Sequence, residues 1–300
     1  MRSTDPLIVV TGYAAIDHIW DMELPFHSGR TTTLLGNPDP PPRFGGGAPT
    51  VALELTRLGR RVHLITWLGG DEPGRSYLQY LARAGVATDG VVVGADQVTP
   101  RAILLTDREG GLSCLFFPTG SHDLKLTDGG VRRLEEAAAV VLTVGPPALT
   151  LEVLQERPQT GLLVWSVKAD PYAYPLELRR RLIAESDVIS TNEDELSFLA
   201  ECIGASTEGD DHRGLVTGLL RVAKGTIVVT SGARGAWLID RGEVVRATPR
   251  RASHVDTVGA GDAFTAALVD RLLTRREPTS AIRGAVDYSS SFLQRRERSG

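Results

Sequence analysis

The chain has 300 residues, a net charge of −4, 42 % hydrophobic and 23 % charged residues, which is ordinary for a soluble globular protein. No basic excess points to nucleic acid, and the clusters "RRR" (179–181) and "QRRER" (294–298) read as solvated helical faces. No stretch reaches the ~18 apolar residues of a membrane span, and "MRSTDPLIVV" has no long apolar run, so export is not expected. Cys114 and Cys202 lack metal-ligand spacing, so a cytoplasmic protein with reduced thiols is expected.

The first predicted strand is "LIVVTG" (7–12), followed by short alternating strands over roughly 13–35. A Gly/Pro-rich segment (36–49) leads into the helix "TVALELTRLG" and the strand "RVHLITWLG" (61–69). A helix near 74–84 precedes short strands at 91–93, 101–107 and 112–118, the last two joined by a "DREGG" hairpin turn. From residue 127 the rhythm changes. Helices begin at 127, 149, 176, 193 and 212, and strands lie at 140–145, 162–167, 188–191 and 226–232. Continuous apolar runs separated by helices are what a parallel sheet covered on both faces requires. The expectation is one doubly wound α/β domain over 1–300, a mostly parallel sheet flanked by helices. Residues of roughly 13–44 and 91–118 break the rhythm and are expected to form a small inserted β-sheet lid.

The stretch "DTVGAGDAF" (256–264) carries the strongest chemical signal. Phe264, Ala267, Leu268 and Leu272 recur at helical spacing, so a helix starts near residue 260. Its first turn has free N–H groups and the positive end of the dipole. Gly259, Ala260 and Gly261 leave room for a phosphate to approach them. Asp262 would repel that phosphate, and makes sense as the base that takes a proton from an attacking hydroxyl. A Gly-rich turn with an acidic cap would use the same residue types. There is no GxxxxGK[ST] sequence, and Phe264 breaks GxGxxG.

In "TNEDEL" (191–196), Asn192 and Glu195 at i, i+3 suit either a hydrated Mg²⁺ or a helix N-cap. "TSGARGAW" (230–237) reads as strand, Gly-rich turn, strand. Asp17 lies just past the first strand, and "FGGGAPT" (44–50) allows close backbone approach to a ligand.

Together these stretches resemble the PfkB, or ribokinase-like, carbohydrate kinase family across essentially the whole chain. The C-terminal signature is matched by Asp256, Thr257, Gly259, Ala260, Gly261 and Asp262. The N-terminal one is matched by Gly45, Gly46, Ala52, Leu58 and Gly59, then "GGDEPG" (69–74). The resemblance implies ATP-dependent phosphorylation of a hydroxyl on a sugar-like small molecule, with Mg²⁺ and a monovalent cation such as K⁺. It implies Asp262 as base and the amides of 259–262 as anion hole. Asn192 and Glu195 would serve phosphate and Mg²⁺, and Thr230, Ser231, Gly232, Gly235 and Thr257 the nucleotide. Asp17, with Gly45, Gly46 and Thr50, would hold the acceptor under the lid, through which two copies would pair. Nucleic-acid and membrane partners are not expected.

The chain departs from the family pattern at Thr50 and Tyr13, where asparagine is usual. It also departs at Gly145, which is expected to leave a void where ribokinases place a glutamate, and at "RRERSG" (295–300), which replaces a small-residue turn. The first three argue against ribose, and the last against the family's monovalent-cation site and part of its adenine wall. A nucleoside kinase is the alternative, with Phe44, Phe116 and Phe117 as stacking candidates. A non-catalytic sugar-binding relative could have lost the base or metal ligand, and this chain keeps both.

Overall fold

The computed structural model describes residues 5–108, 111–205, 211–249, 257–274 and 277–297. The first half contains β1 (Leu7–Thr11), β2 (Ala15–Met22), β3 (Leu34–Leu35), β4 (Arg43–Gly45), α1 (Gly47–Arg57), β5 (Arg61–Gly69) and α2 (Glu72–Arg83). Next come β6 (Val91–Gly94), β7 (Arg101–Thr106), β8 (Leu112–Phe117), α3 (Asp128–Glu135), β9 (Ala137–Leu142), α4 (Pro147–Glu156) and β10 (Leu162–Ser166). The remainder is α5 (Leu176–Glu185), β11 (Val188–Asn192), α6 (Glu193–Ala200), α7 (His212–Leu219), β12 (Thr226–Thr230), β13 (Ala236–Asp240), β14 (Glu243–Ala247), α8 (Ala260–Leu273) and α9 (Pro278–Glu297).

Nine strands form the main sheet in the order β14-β13-β12-β11-β10-β9-β1-β5-β6. It is parallel from β6 to β12 and ends in an antiparallel edge of β13 and β14. Alternation within β1 shows how both faces are covered. Ile8 and Val10 pack with Val51 of α1, Tyr77 of α2, Phe264 of α8 and Ile282 of α9. Leu7 and Val9 face the other way, toward Leu134, Leu149, Leu178, Leu196 and Val216 of α3 to α7. A strand buried on both faces has no polar side to declare, which is why β1 is apolar at every position but the last.

A second sheet has the order β3-β2-β7-β8, with β4 pairing on β2. Its register sets Asp17, Ala102 and Phe116 abreast, and likewise Ile19, Leu104 and Cys114. These side chains share one face, and that face lines a cavity against the main sheet.

The structure corrects the expected lid at one strand. Residues 91–94 do not join the small sheet; β6 pairs in parallel with β5 at the edge of the main sheet. Its three valines form too short a run for alternation to distinguish the two sheets. The strand expected at 140–145 lies three residues earlier, because Ala137 and Ala139 pair with Leu7 and Ile8. Alanine favours helix, but here sheet pairing and burial decide. The sequence marks no strand over β14, and of α9 it marks only the basic end at 294–298 as helical. Cys114 and Cys202 are both free thiols, and among the described residues no helix is long and apolar enough to cross a membrane.

Candidate active site

Two cavities open along the carboxyl edge of the main sheet, where doubly wound folds bind ligands. They meet at the amino end of α8. One, of about 360 Å³, is lined by Asp17, Gly45, Gly46, Thr50, Gly259 and Asp262. The other, of about 320 Å³, is lined by Asn192, Thr230, Ser231, Gly232, Gly235, Thr257, Ala260 and Gly261. The sequence-derived acceptor and nucleotide residues thus separate into two cavities. Glu195 is buried behind Asn192 and lines neither, and Asp256 lies outside the described residues.

In the first cavity Asp17 is 7 % exposed. Its carboxylate occupies the space that a side chain at position 45 would need: a Cβ on Gly45 would lie 1.8 Å from Asp17 Oδ2. The Gly45 backbone is pinned there, since its carbonyl accepts a hydrogen bond from Tyr77 Oη (2.6 Å) and its strand pairs with Ala15. Burial, then the charge of Asp262, pushes the Asp17 carboxyl up to about 7, against the opposing charges of Arg296 and Arg43. Burial likewise pushes Asp262 up to about 7; the Lys168 ammonium opposes the shift and the Glu195 charge adds to it. Both carboxyls therefore change charge near neutrality rather than near pH 4.

The departures from the family pattern have definite outcomes. Tyr13 is buried in the cavity wall, its ring 4.8 Å from that of Phe116, and its hydroxyl has no hydrogen-bond partner among the described residues. Thr50 donates its hydroxyl back to the Gly46 carbonyl (2.8 Å), leaving only acceptor capacity toward a ligand. Gly145 leaves no void: a Cβ there would lie 3.1 Å from Gly12 Cα, and the residue does not line the cavity. Of the aromatic candidates, Phe116 and Phe44 both line the cavity, Phe44 with its ring also stacked on Tyr77, centroids 4.6 Å apart. Phe117 is 55 % exposed on the opposite face of the small sheet.

α8 starts from Gly259, whose φ of 83° is left-handed and suits glycine. The Ala260 N–H is already engaged by the Thr257 carbonyl (3.0 Å), and the first intrahelical bond is Ala263 N–H to Gly259 O (3.0 Å). The N–H groups of Gly261 and Asp262 therefore remain for an anion. α9 braces this turn. Ser289 Oγ donates to the Ala260 carbonyl (2.9 Å), Arg296 donates to the Val258 carbonyl, and the Phe292 ring lies against Gly259. Tyr288 Oη and Arg295 also converge on the buried Glu54 carboxylate of α1, at 2.7 and 2.8 Å.

At the edge of the second cavity Asn192 forms a capping box for α6 with Glu195, which is buried behind it. Glu195 N–H donates to Asn192 Oδ1 (2.8 Å), and Asn192 N–H to Glu195 Oε2 (3.0 Å). Glu195 Oε1 takes no part in it. Burial raises this carboxyl's pKa, while Lys168 draws it down. Ser231 Oγ donates to Glu193 Oε1 (2.8 Å), which fastens the Gly-rich turn to α6. Among the described residues no group of three or more His, Cys, Asp or Glu could hold a metal ion. This donor set suits Mg²⁺ held largely by water and phosphate, with a carboxylate behind, rather than a protein cage. Lys168, Arg43 and Arg296 also line the first cavity. No motif marks them, although Lys168 follows a predicted strand at the ligand-binding edge.

Two cavities thus meet at one helix terminus, on a doubly wound sheet with a small covering sheet. The family model for pfkB family carbohydrate kinases matches residues 5–299, and the chain belongs to that family. It is 27 % identical over 267 residues to a nucleoside kinase of Methanothermobacter thermautotrophicus, covering 88 % of this chain and 82 % of that protein. It is 29 % identical over 250 residues to fructokinase-1 of Zea mays, covering 78 % and 75 %. The ribokinase of Cryptococcus neoformans var. grubii serotype A, solved with ADP, shares the fold with a TM-score of 0.78 at 23 % identity, covering 94 % of this chain and 91 % of that one.

Proposed function

We propose that the chain transfers the γ-phosphoryl group of ATP to a hydroxyl of a polyhydroxylated, sugar-bearing acceptor, with Asp262 as general base. The observation that carries this reading is the meeting of the two cavities at α8. Asp262 lines the first, Gly261 the second, so a phosphoryl group passing between them crosses the free amides. Asp17 accepts acceptor hydroxyls, and Asn192 and the Gly-rich turn hold the nucleotide. Mg²⁺ would bring charge neutralisation to the phosphates, with Glu195 orienting its water shell. Closure of the small sheet over the acceptor would keep water from the γ-phosphate.

Within this class the wall of Phe116 and Tyr13 favours an acceptor with a planar ring, and similarity to a nucleoside kinase supports a nucleoside. Incubation with ATP, Mg²⁺ and a panel of ribose, fructose, 2-keto-3-deoxygluconate and common nucleosides, reading ADP release, tests both levels. We expect kcat/KM for at least one nucleoside to exceed that for ribose tenfold. Ribose as the best substrate would reverse the acceptor reading, and no ADP release with any acceptor would count against the kinase reading.

The outer face of the small sheet carries Leu115 (48 % exposed) and Phe117 (55 %) on the edge strand β8. Apolar side chains beside an open strand edge favour pairing with a second copy, and we infer a homodimer through this face. Sedimentation at micromolar concentration should give twice the chain mass; a monomer would refute the pairing.

A further inference from the structure

Lys168 stands two residues beyond β10, on the same sheet edge as the two cavities, and lines the first of them beside Asp262. The neighbouring elements fix its place. Thr265 of α8, one turn below Asp262, donates to Ser190 Oγ of β11 (3.1 Å) and lies 3.4 Å from Ser166 Oγ at the end of β10. The strand that presents Lys168, the strand that leads to Glu195 and the helix that carries Asp262 are therefore joined at one point. The ammonium acts electrostatically on both carboxylates, and on each it is the foremost opposing charge. Yet its side chain is exposed and, among the described residues, makes no hydrogen bond or ion pair. An exposed cation that lines the cavity beside Asp262 and pairs with no carboxylate among the described residues is available to an anion arriving there.

We propose that Lys168 is a catalytic residue, its ammonium contacting the transferring phosphoryl group from the acceptor cavity and completing the cradle begun by the amides of Gly261 and Asp262. The inference rests on the kinase reading above. In the step, the acceptor O–H bond breaks and its proton goes to the Asp262 carboxylate. The oxygen's electron pair forms a bond to the γ-phosphorus. The bond from that phosphorus to the β,γ-bridging oxygen breaks, and its electron pair leaves with ADP. Lys168 exchanges no proton; it offsets charge on the equatorial oxygens, where phosphoryl-transfer catalysis is mostly electrostatic.

The test compares wild type, Lys168→Met and Lys168→Arg by titration calorimetry with Mg²⁺ and either ADP or the imido-bridged, non-hydrolysable ATP analogue. Wild type should bind the analogue more tightly than ADP. Lys168→Met should lose about tenfold or more in analogue affinity, the scale of one charge-assisted hydrogen bond, with ADP affinity unchanged. Lys168→Arg should recover most of the loss. With an accepted substrate, Lys168→Met should lower kcat about 10²-fold and leave the acceptor KM within twofold. Equal discrimination between the nucleotides in wild type and Lys168→Met, or none in wild type, would overturn the proposal. So would a raised acceptor KM at unchanged kcat, which would assign the cation to an anionic acceptor instead. A wild-type chain that binds neither nucleotide would overturn the kinase reading itself, and this proposal with it.

Discussion

Asp262→Asn is expected to lower kcat by at least ~10²-fold, the lower end of what a positioned base supplies, with nucleotide affinity retained. The amide keeps the shape of the carboxylate and removes its basicity. The pH dependence provides a second check. With the carboxyl pushed up to about 7, the base is ionised only above neutrality. Wild-type kcat/KM should rise as pH increases through about 7, and fall by about tenfold to a hundredfold per unit well below it, where both carboxyls are protonated. Asp17, also raised to about 7, shares that window, so the two protons leave in overlapping steps.

The stability consequence has the opposite sign. A carboxyl with a raised folded-state pKa favours folding while protonated, and that contribution is lost as pH climbs from about 4 through about 7. Asp262→Asn cannot ionise. It should therefore melt above wild type at pH 8, and the difference should shrink toward pH 4. Near-normal turnover, or a melting difference independent of pH, would remove Asp262 from the role of half-buried base.

Gly45→Ala should lower kcat/KM for the acceptor by about 10²-fold while leaving the KM for ATP near its wild-type value. The added methyl would sit 1.8 Å from Asp17 Oδ2, and the strand pairing and the Tyr77 bond hold the backbone in place. The carboxylate must then move, and with it go hydrogen bonds to acceptor hydroxyls worth ~1.5–3 kcal/mol each when charge-assisted. Overpacking of this kind also costs ~1–3 kcal/mol of stability, which calorimetry would register. If the effect runs through Asp17, Gly45→Ala combined with Asp17→Ala should be no worse than Asp17→Ala alone. Unchanged acceptor kinetics in Gly45→Ala would separate Gly45 from the acceptor site.

Much of this architecture was readable from sequence because burial on two faces leaves a simple trace. The runs at 7–12, 61–69 and 226–232 are apolar enough to be recognised as central strands, and they are. α9 also has a periodic core set, with Ala281, Ile282, Ala285 and Val286 buried. Its serines at 289–291 and terminal arginines obscure that signal, since serine is a weak helix former. β6 was assigned to the wrong sheet because three valines carry no information about which edge they join. At the site, residue type and position along the fold are enough to single out Asp262, Asp17 and the small-residue turns, which line the two cavities. The fit of Asp17 into the space over Gly45 was not, because residues 28 positions apart meet only after β2 and β4 pair. Gly145 was misjudged for the same kind of reason: the glycine at position 12 closes the space that its own lack of a side chain leaves.

The brace that α9 places on residues 258–260 bears on how the enzyme is made. Every strand of both sheets precedes α9 in the chain. A growing polypeptide can therefore assemble its sheets and most of both cavity walls while α9 is still inside the ribosome. Such an intermediate has a fold but an unsupported anion turn. Loss of the α9 contacts should therefore cost the turn at 258–260 its support before it costs either sheet its strands.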